Sequence, residues 1–284
     1  MIDGLTYHDH GGCRFACRLS GNGIPVLLIQ GTGVQGDGWQ PQVAGLVAQC
    51  QCLTFDNRGM GQSQPTGTLI SVAQMAEDAR VLMDMSGWSS AHVVGHSLGG
   101  PIGLQLALDA PERVRSLALL CTFARGRDVF PLTPRTLGLA LRMQIGPLAQ
   151  RRRAFLNLVM RTAGLAVAEQ DALAEHLGTL FGHDLAVQPP IANQQLAALR
   201  ACDLTTRLGE IATPTLVVSA TYDPIAPPKL GHVLARGIRE AIYVEIPDAS
   251  HAVTVQYADR INELLMRHLL QAEQQFAGLS SRFD

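Results

Sequence analysis

The chain has 284 residues, of which 47% are hydrophobic and 16% charged, and its formal net charge is −2. This composition is too apolar for a disordered chain, and the near-neutral charge argues against nucleic acid as a partner. No stretch approaches the roughly 18 apolar residues that span a membrane. The first residues lack the basic and apolar regions of a signal peptide, so we expect a cytoplasmic, soluble protein without a membrane partner.

The six cysteines lie mostly within apolar runs of the sequence. Their spacing does not resemble a zinc site, and we expect buried, reduced thiols and no bound metal.

Short apolar runs alternate with amphipathic stretches along most of the chain. The first pair, around 5–7 and 14–19, is joined by His10, Gly11 and Gly12 and predicts an antiparallel hairpin at a sheet edge. Further strands are predicted at 25–30, 52–55, 91–94, 117–121, 215–219 and 242–246, and helices at 39–49, 72–85, 101–108, 227–235 and 257–274. Such alternation predicts an α/β fold with a mostly parallel, doubly wound sheet.

The segment 125–207 interrupts this alternation, because it shows helical patterns punctuated by prolines and no convincing strand. We predict that it is an all-helical lid, or cap, inserted into a core formed by 1–124 and 208–284. Most of its apolar residues are expected to pack within the lid, whereas a minority, with Phe130 and Leu141 as candidates, face a substrate pocket. The run Arg151, Arg152 and Arg153 is most simply a solvated helix face.

Residues 95–99 read Gly-His-Ser-Leu-Gly and lie between the strand at 91–94 and the following helix. A G-x-S-x-G sequence in this setting is typical of a nucleophile elbow, which exposes the serine on a strained turn. The helix amino terminus beside it favours developing negative charge. Ser97 is therefore the candidate nucleophile.

A serine hydroxyl needs a base that removes its proton and an acid that orients the base. His251 follows the last predicted strand, so it lies at the same end of the sheet as Ser97. His96 shares this end, but as the residue before the nucleophile it is expected to point away from it. We therefore assign His251 as the base.

Asp223 is the candidate acid, because it follows the strand 215–219 on a loop at the same edge. An Asp-Pro pair also forms turns, and the two roles can coexist. Asp248 is a weaker alternative, since three residues of tight loop give poor geometry for reaching the outer imidazole nitrogen of His251.

Preorganised N–H donors should stabilise the oxyanion of a tetrahedral intermediate. The elbow supplies the backbone N–H of Leu98, and the glycine-rich loop after the strand 25–30 supplies a second donor, for which Thr32 is the candidate. Gln30 and Gly31 of the same loop are expected to border the substrate.

Four segments together resemble the α/β-hydrolase superfamily, in the group of 3-oxoadipate enol-lactonases and small carboxylesterases. They are residues 30–33 with Trp39, the D-x-R-G-x-G-x-S sequence at 56–63, the elbow at 95–100, and the pair Asp223 and His251. In that group the 56–63 segment is a structural turn, and the position of Gln30 usually holds histidine. The resemblance implies an α/β-hydrolase fold with an altered pocket polarity beside Gln30.

These residues predict two-step acyl transfer on a small to medium, partly apolar ester or lactone, with no metal or organic cofactor. Thioesters and C–C bonds next to carbonyls remain alternatives that similar triads process. A ligand-binding, receptor-like protein with weak turnover is the alternative from a different class. The sequence does not determine the oligomeric state.

Overall fold

The computed structural model describes residues 4–65, 70–129 and 133–280, and a single eight-stranded sheet forms its centre. The strands are β1 (Thr6–His10), β2 (Cys13–Ser20), β3 (Ile24–Ile29), β4 (Cys50–Phe55), β5 (Ala91–His96), β6 (Val114–Leu120), β7 (Thr215–Ala220) and β8 (Ile242–Ile246). Their order across the sheet is β1-β2-β4-β3-β5-β6-β7-β8. Strand β2 pairs antiparallel with β1 and β4, and all other pairs are parallel. The predicted edge hairpin and the mostly parallel α/β sheet are confirmed.

Helices cover both faces of the sheet, as its near-continuous apolar strands require. The helices are α1 (Gln40–Leu46), α2 (Val72–Met85), α3 (Gly99–Asp109), α4 (Pro134–Gln144), α5 (Leu148–Val159), α6 (Val167–Phe181), α7 (Ile191–Ala201), α8 (Pro228–Gly237), α9 (Val253–Gln256) and α10 (Ala258–Ser280). One face packs on α2, α3 and α8, and the other packs on α1 and α10. The carboxyl ends of the parallel strands are thus free to carry a site.

Four helices, α4 to α7, lie between β6 and β7, where the sequence predicted a lid. Leu156, Leu177 and Phe181 form a separate apolar cluster that also includes Val34 and Ala252 of the core loops. An antiparallel bridge between residues 125 and 203 brings the two ends of the segment together. The division into a core of 1–124 and 208–284 and a lid of 125–207 remains a prediction.

The segment 56–63 is a buried turn that fixes the edge of the sheet. Asp56 accepts hydrogen bonds from the backbone N–H groups of residues 36 and 62 at 2.8 and 2.9 Å. Arg58 donates to both carboxylate oxygens of Asp78 at 2.9 and 2.6 Å, and both side chains are buried. The Oγ of Ser63 accepts from the backbone N–H of Ala16 at 2.9 Å. These contacts give the segment a structural role, because its polar side chains are engaged by neighbouring backbone and side-chain groups.

All six cysteines are free, and five of them are fully buried. Burial raises the pKa of Cys17 and of Cys52 to about 12, so these thiols stay protonated near neutral pH. Within the described ranges, no helix is long and apolar enough to cross a membrane.

Candidate active site

Ser97 occupies a tight turn between β5 and α3, with a φ of +53° in the left-handed region. A side chain at Gly99 would place its Cβ 2.0 Å from the carbonyl oxygen of Ile29, and one at Gly95 would lie 2.2 Å from the carbonyl oxygen of Gly99. Only glycine at these two positions lets strand and helix meet closely. Thr122 stabilises the strained turn, because its Oγ1 donates to the Ser97 carbonyl at 2.6 Å.

A continuous hydrogen-bond chain joins the three residues predicted to act together. His251 Nε2 lies 3.0 Å from Ser97 Oγ, and His251 Nδ1 lies 2.7 Å from Asp223 Oδ2. All three side chains are buried at the carboxyl ends of β5, β7 and β8. The serine, base and acid therefore meet at one point, although they are distant in the sequence.

Asp223 is held in place by its own loop as well as by the base. Its Oδ1 accepts from the backbone N–H groups of Ile225 and Ala226 at 2.8 and 2.9 Å. Burial alone would raise the pKa of Asp223, but the charge and hydrogen bond of His251 and these two N–H groups lower it overall. The carboxylate is thus ionised and oriented, and the aspartate is both a turn former and a partner of the base.

Asp248, the alternative acid, lies elsewhere. It is exposed, with a φ of +57°, on the loop between β8 and α9. The outer imidazole nitrogen of His251 is already bonded to Asp223. Asp223, and not Asp248, is therefore the carboxylate that contacts the imidazole of His251.

The loop after β3 packs directly against the nucleophile. A side chain at Gly31 would place its Cβ 3.0 Å from the Cβ of Ser97. Thr32 lines the same cavity as Ser97, and Leu98 follows the serine at the start of α3. Neither Thr32 nor Leu98 uses its backbone N–H in a hydrogen bond within the described part of the chain. Both N–H groups are therefore free to donate to a ligand, and their role as an oxyanion hole remains a prediction.

Gln30 does not border the cavity, contrary to expectation. Its side chain is buried under the loop, where Oε1 accepts from the backbone N–H of Gly31 at 2.9 Å. Its backbone carbonyl accepts from Asn57 Nδ2 at 3.0 Å. The amide of Gln30 thus shapes the loop from below, while Gly31 borders the cavity as predicted.

The helical segment, α4 to α7, contacts both the loop after β3 and the loop of His251, and the sequence did not reveal these contacts. Gln195 of α7 is fully buried, and its Oε1 accepts from the backbone N–H of Gly33 at 2.8 Å. The backbone N–H of Ala252, next to the base, donates to the Val159 carbonyl at 2.7 Å. No local sequence signal identifies these partners, because they come from helices more than 90 residues away in the chain.

His96 also contributes in a way that the sequence did not indicate. Its Nε2 lies 2.9 Å from the backbone carbonyl of His251, and the two imidazole rings are 4.9 Å apart. Burial, followed by the nearby His251, lowers the pKa of His96 to about 3, so the ring is neutral. A carbonyl can only accept, so His96 carries its proton on Nε2 and supports the loop of the base.

A cavity of about 650 Å³ lies between the triad and the helical segment. Its wall is mostly apolar and includes Phe155, Leu158, Phe181 and Leu185, with Ser97 and His251 at the floor. The expected contact of Leu141 is wrong, because this side chain is 60% exposed on α4 while Ala140 and Met143 face the cavity instead. Phe130 lies outside the described residues.

The strand order, the elbow and the hydrogen-bonded triad define a hydrolase of the α/β-hydrolase fold. In agreement, residues 24–256 match the model of the family described as "alpha/beta hydrolase fold", and the chain belongs to this family. Among curated proteins, the chain is similar to "Putative carbamate hydrolase RutD" of Azorhizobium caulinodans, with 34% identity over 267 residues that cover 92% of this chain and 97% of that protein. The protein of the same name from Variovorax paradoxus is 32% identical over 272 residues, which cover 93% and 96% of the two chains.

Solved structures show the same similarity. The enol-lactonase from Burkholderia xenovorans LB400 superimposes with a TM-score of 0.78 at 28% identity. The superposition covers 93% of this chain and 100% of that chain. A hydrolase from Pseudomonas aeruginosa PA01 superimposes with a TM-score of 0.74 at 26% identity, covering 93% and 98% of the two chains. The sequence-based resemblance to the superfamily is thus confirmed.

Proposed function

We propose that the protein is a serine hydrolase that cleaves a carboxylic ester or lactone through an acyl-enzyme on Ser97. The observation that carries this proposal is the chain of hydrogen bonds from Ser97 Oγ through His251 to Asp223, at 3.0 and 2.7 Å. A serine activated in this way attacks carbonyl carbon, and the two free N–H groups beside it match the charge that develops on the carbonyl oxygen. The apolar cavity suits a partly apolar substrate.

The proposed reaction has two steps, and His251 carries the proton in both of them. In the first, Ser97 Oγ bonds to the carbonyl carbon while its proton moves to His251 Nε2, and the N–H groups of Thr32 and Leu98 hold the oxyanion. The intermediate then expels the alcohol, which takes the proton from Nε2. In the second step water attacks the acyl-serine, His251 accepts its proton, and the same proton returns to Ser97 Oγ as the acid leaves. Asp223 stays ionised throughout and stabilises the imidazolium.

A carbamate is the second candidate substrate, because the two curated relatives described above carry that activity in their names. The same steps apply to a carbamate carbonyl and produce a carbamoyl-serine. Its nitrogen lone pair makes the carbonyl less electrophilic, so both the formation and the hydrolysis of this intermediate should be slower than for an ester of equal size.

A fluorophosphonate probe tests whether Ser97 is an activated nucleophile. We expect one equivalent of label on the parent protein, none on Ser97→Ala, and full labelling of Ser89→Ala, an exposed serine far from the cavity. An unlabelled parent protein would favour a ligand-binding protein without turnover, and label that persists in Ser97→Ala would remove Ser97 from the mechanism.

A substrate panel then distinguishes the reaction classes. Turnover of p-nitrophenyl esters, a lactone, an aryl carbamate and an acyl thioester should be compared as kcat/KM. We expect the ester and the lactone to be the best substrates. A preference for the carbamate or the thioester would keep the triad chemistry and change the substrate class.

A further inference from the structure

The link between α5 and α6, residues 160–166, contacts the loop that carries the base. The Val159 carbonyl at the end of α5 accepts from the backbone N–H of Ala252 at 2.7 Å. Two residues further on, the Arg161 carbonyl accepts from Nε2 of Gln256 at 3.3 Å. Both donors follow His251 closely in the chain, so the backbone of this link is bonded to the loop of the base.

The side chain of Arg161 contacts a different loop, the one that carries the acid. Its guanidinium carbon lies 4.1 Å from the centroid of the Tyr222 ring, and Tyr222 directly precedes Asp223. A cation within about 6 Å of the face of an aromatic ring is attracted by the ring quadrupole. Among the described residues no carboxylate lies within ion-pair distance of Arg161, so the Tyr222 ring is the group that the structure places against this charge.

Tyr222 in turn contacts the loop of the base. Its backbone N–H donates to the Ala249 carbonyl at 2.9 Å, and its carbonyl accepts from Oγ of Ser250 at 3.3 Å. Ala249 and Ser250 are buried and immediately precede His251. The loops of the acid and the base therefore meet at Tyr222, and Arg161 packs on the ring of this residue.

The helical segment also contacts the acid loop on the other side of Asp223. The backbone N–H of Ile225 donates to Asp223 Oδ1 at 2.8 Å, and Ile225 packs against the apolar cluster that includes Leu156 of α5. The carboxylate thus lies between two residues, Tyr222 and Ile225, that are each in contact with the helical segment. Displacement of either residue would move the carboxylate relative to His251 Nδ1, which is 2.7 Å away.

We propose that Arg161 is a positioning residue for the pair formed by His251 and Asp223. Its guanidinium stacks on Tyr222 while its backbone carbonyl is bonded to the residues that follow the base, so Arg161 connects the two loops. This inference rests on the proposed function and adds to it a residue that is not among the described residues lining the cavity. The imidazolium of the transition state needs the carboxylate of Asp223 beside it, so loss of the Arg161 charge should lower kcat more than it weakens substrate binding.

Steady-state hydrolysis of a p-nitrophenyl ester separates positioning from binding. Arg161→Gln should lower kcat by about 3- to 10-fold and change KM by less than about twofold, since the loss of one cation–π contact corresponds to a factor of this size. Arg161→Lys keeps the cation and should stay within about twofold of the parent kcat. Arg153→Gln removes an equal charge from the same helical segment, where Arg153 pairs with Asp171 at 2.7 Å, and it should retain the parent kcat.

Replacements of Tyr222 test whether its ring is the partner of Arg161. Tyr222→Phe is the conservative replacement that keeps the ring face, and its kcat should lie within about twofold of the parent, whereas Tyr222→Leu should lose about as much as Arg161→Gln. In the double variant the two losses should not add, because both substitutions remove the same interaction. Additive losses, or an unchanged kcat in Arg161→Gln, would overturn the proposal.

The rate of fluorophosphonate labelling distinguishes failure of this proposal from failure of the proposed function. Labelling needs an activated Ser97 but no particular substrate, so Arg161→Gln should be labelled about 3- to 10-fold more slowly than the parent and to the same final stoichiometry. A parent protein without label would overturn the proposed function together with the positioning role. A labelled parent with an equal labelling rate in Arg161→Gln would retain the nucleophile and overturn the positioning role alone.

Discussion

Replacing Asp223 by asparagine should convert a working base into one with its proton on the wrong nitrogen. In the parent protein, Oδ1 accepts from two backbone N–H groups at 2.8 and 2.9 Å, and Oδ2 accepts from His251 Nδ1 at 2.7 Å. The two backbone donors require an oxygen, so an asparagine must turn its NH₂ group toward His251. Nδ1 then becomes an acceptor, and the proton moves to Nε2, which can no longer accept the proton of Ser97.

The expected loss for Asp223→Asn is about 10⁴-fold in kcat, the value known for the corresponding change in trypsin-like proteases, or roughly 5 kcal/mol of transition-state stabilisation. The assay is steady-state hydrolysis of a p-nitrophenyl ester near neutral pH, with thermal unfolding as a check that the variant is folded. The matched control is Asp248→Asn, at an exposed site with a φ of +57° that asparagine tolerates, and it should retain near-parent activity. Near-parent activity in Asp223→Asn, or a large loss in Asp248→Asn, would refute the assignment of the acid.

Two further predictions concern the helical segment and pH. Gln195→Leu leaves the buried N–H of Gly33 without an acceptor, so urea unfolding should show a loss of about 1–3 kcal/mol in stability. Because Gly33 belongs to the loop beside Ser97, kcat should also fall by a larger factor than KM rises. An unchanged kcat would contradict a role of Gln195 in positioning this loop. Burial lowers the pKa of His92 and of His268 from 6.5 to about 4. Between pH 6.5 and about pH 4 the unfolded chain therefore binds more protons than the folded chain. The stability of the folded protein should fall as the pH is lowered through this range. Urea unfolding should therefore show roughly 2 kcal/mol less stability per histidine at pH 5 than at pH 7.5. A stability that stays constant or rises from pH 7.5 to pH 5 would contradict this prediction.

The sequence predicted the parts of the site that depend on short motifs at strand ends. Ser97, Asp223 and His251 each follow a recognisable apolar strand, and parallel strands bring their carboxyl ends to one edge of the sheet. The identity of the three residues and their meeting point therefore follow from local patterns together with one topological rule.

Contacts across long sequence separations could not be predicted in the same way. Gln195 reaches Gly33 only because the helical segment folds back over the sheet, and nothing in its neighbourhood distinguishes it from Gln194. Leu141 fits the apolar pattern of a helix, yet the crossing of α4 over the cavity exposes it. The arginine run was interpreted as a solvated face, which describes Arg152 and Arg153 but not Arg151.

The acyl-enzyme itself provides the most direct test of the central claim. The protein should be mixed with excess p-nitrophenyl ester, quenched in acid within the first turnovers, and analysed by intact mass and peptide mapping. The account predicts up to one acyl group per chain, located on Ser97, together with a burst of p-nitrophenol of the same stoichiometry where deacylation is slower than acylation. Turnover that continues in Ser97→Ala at the parent rate, or an acyl group found on another residue, would contradict it.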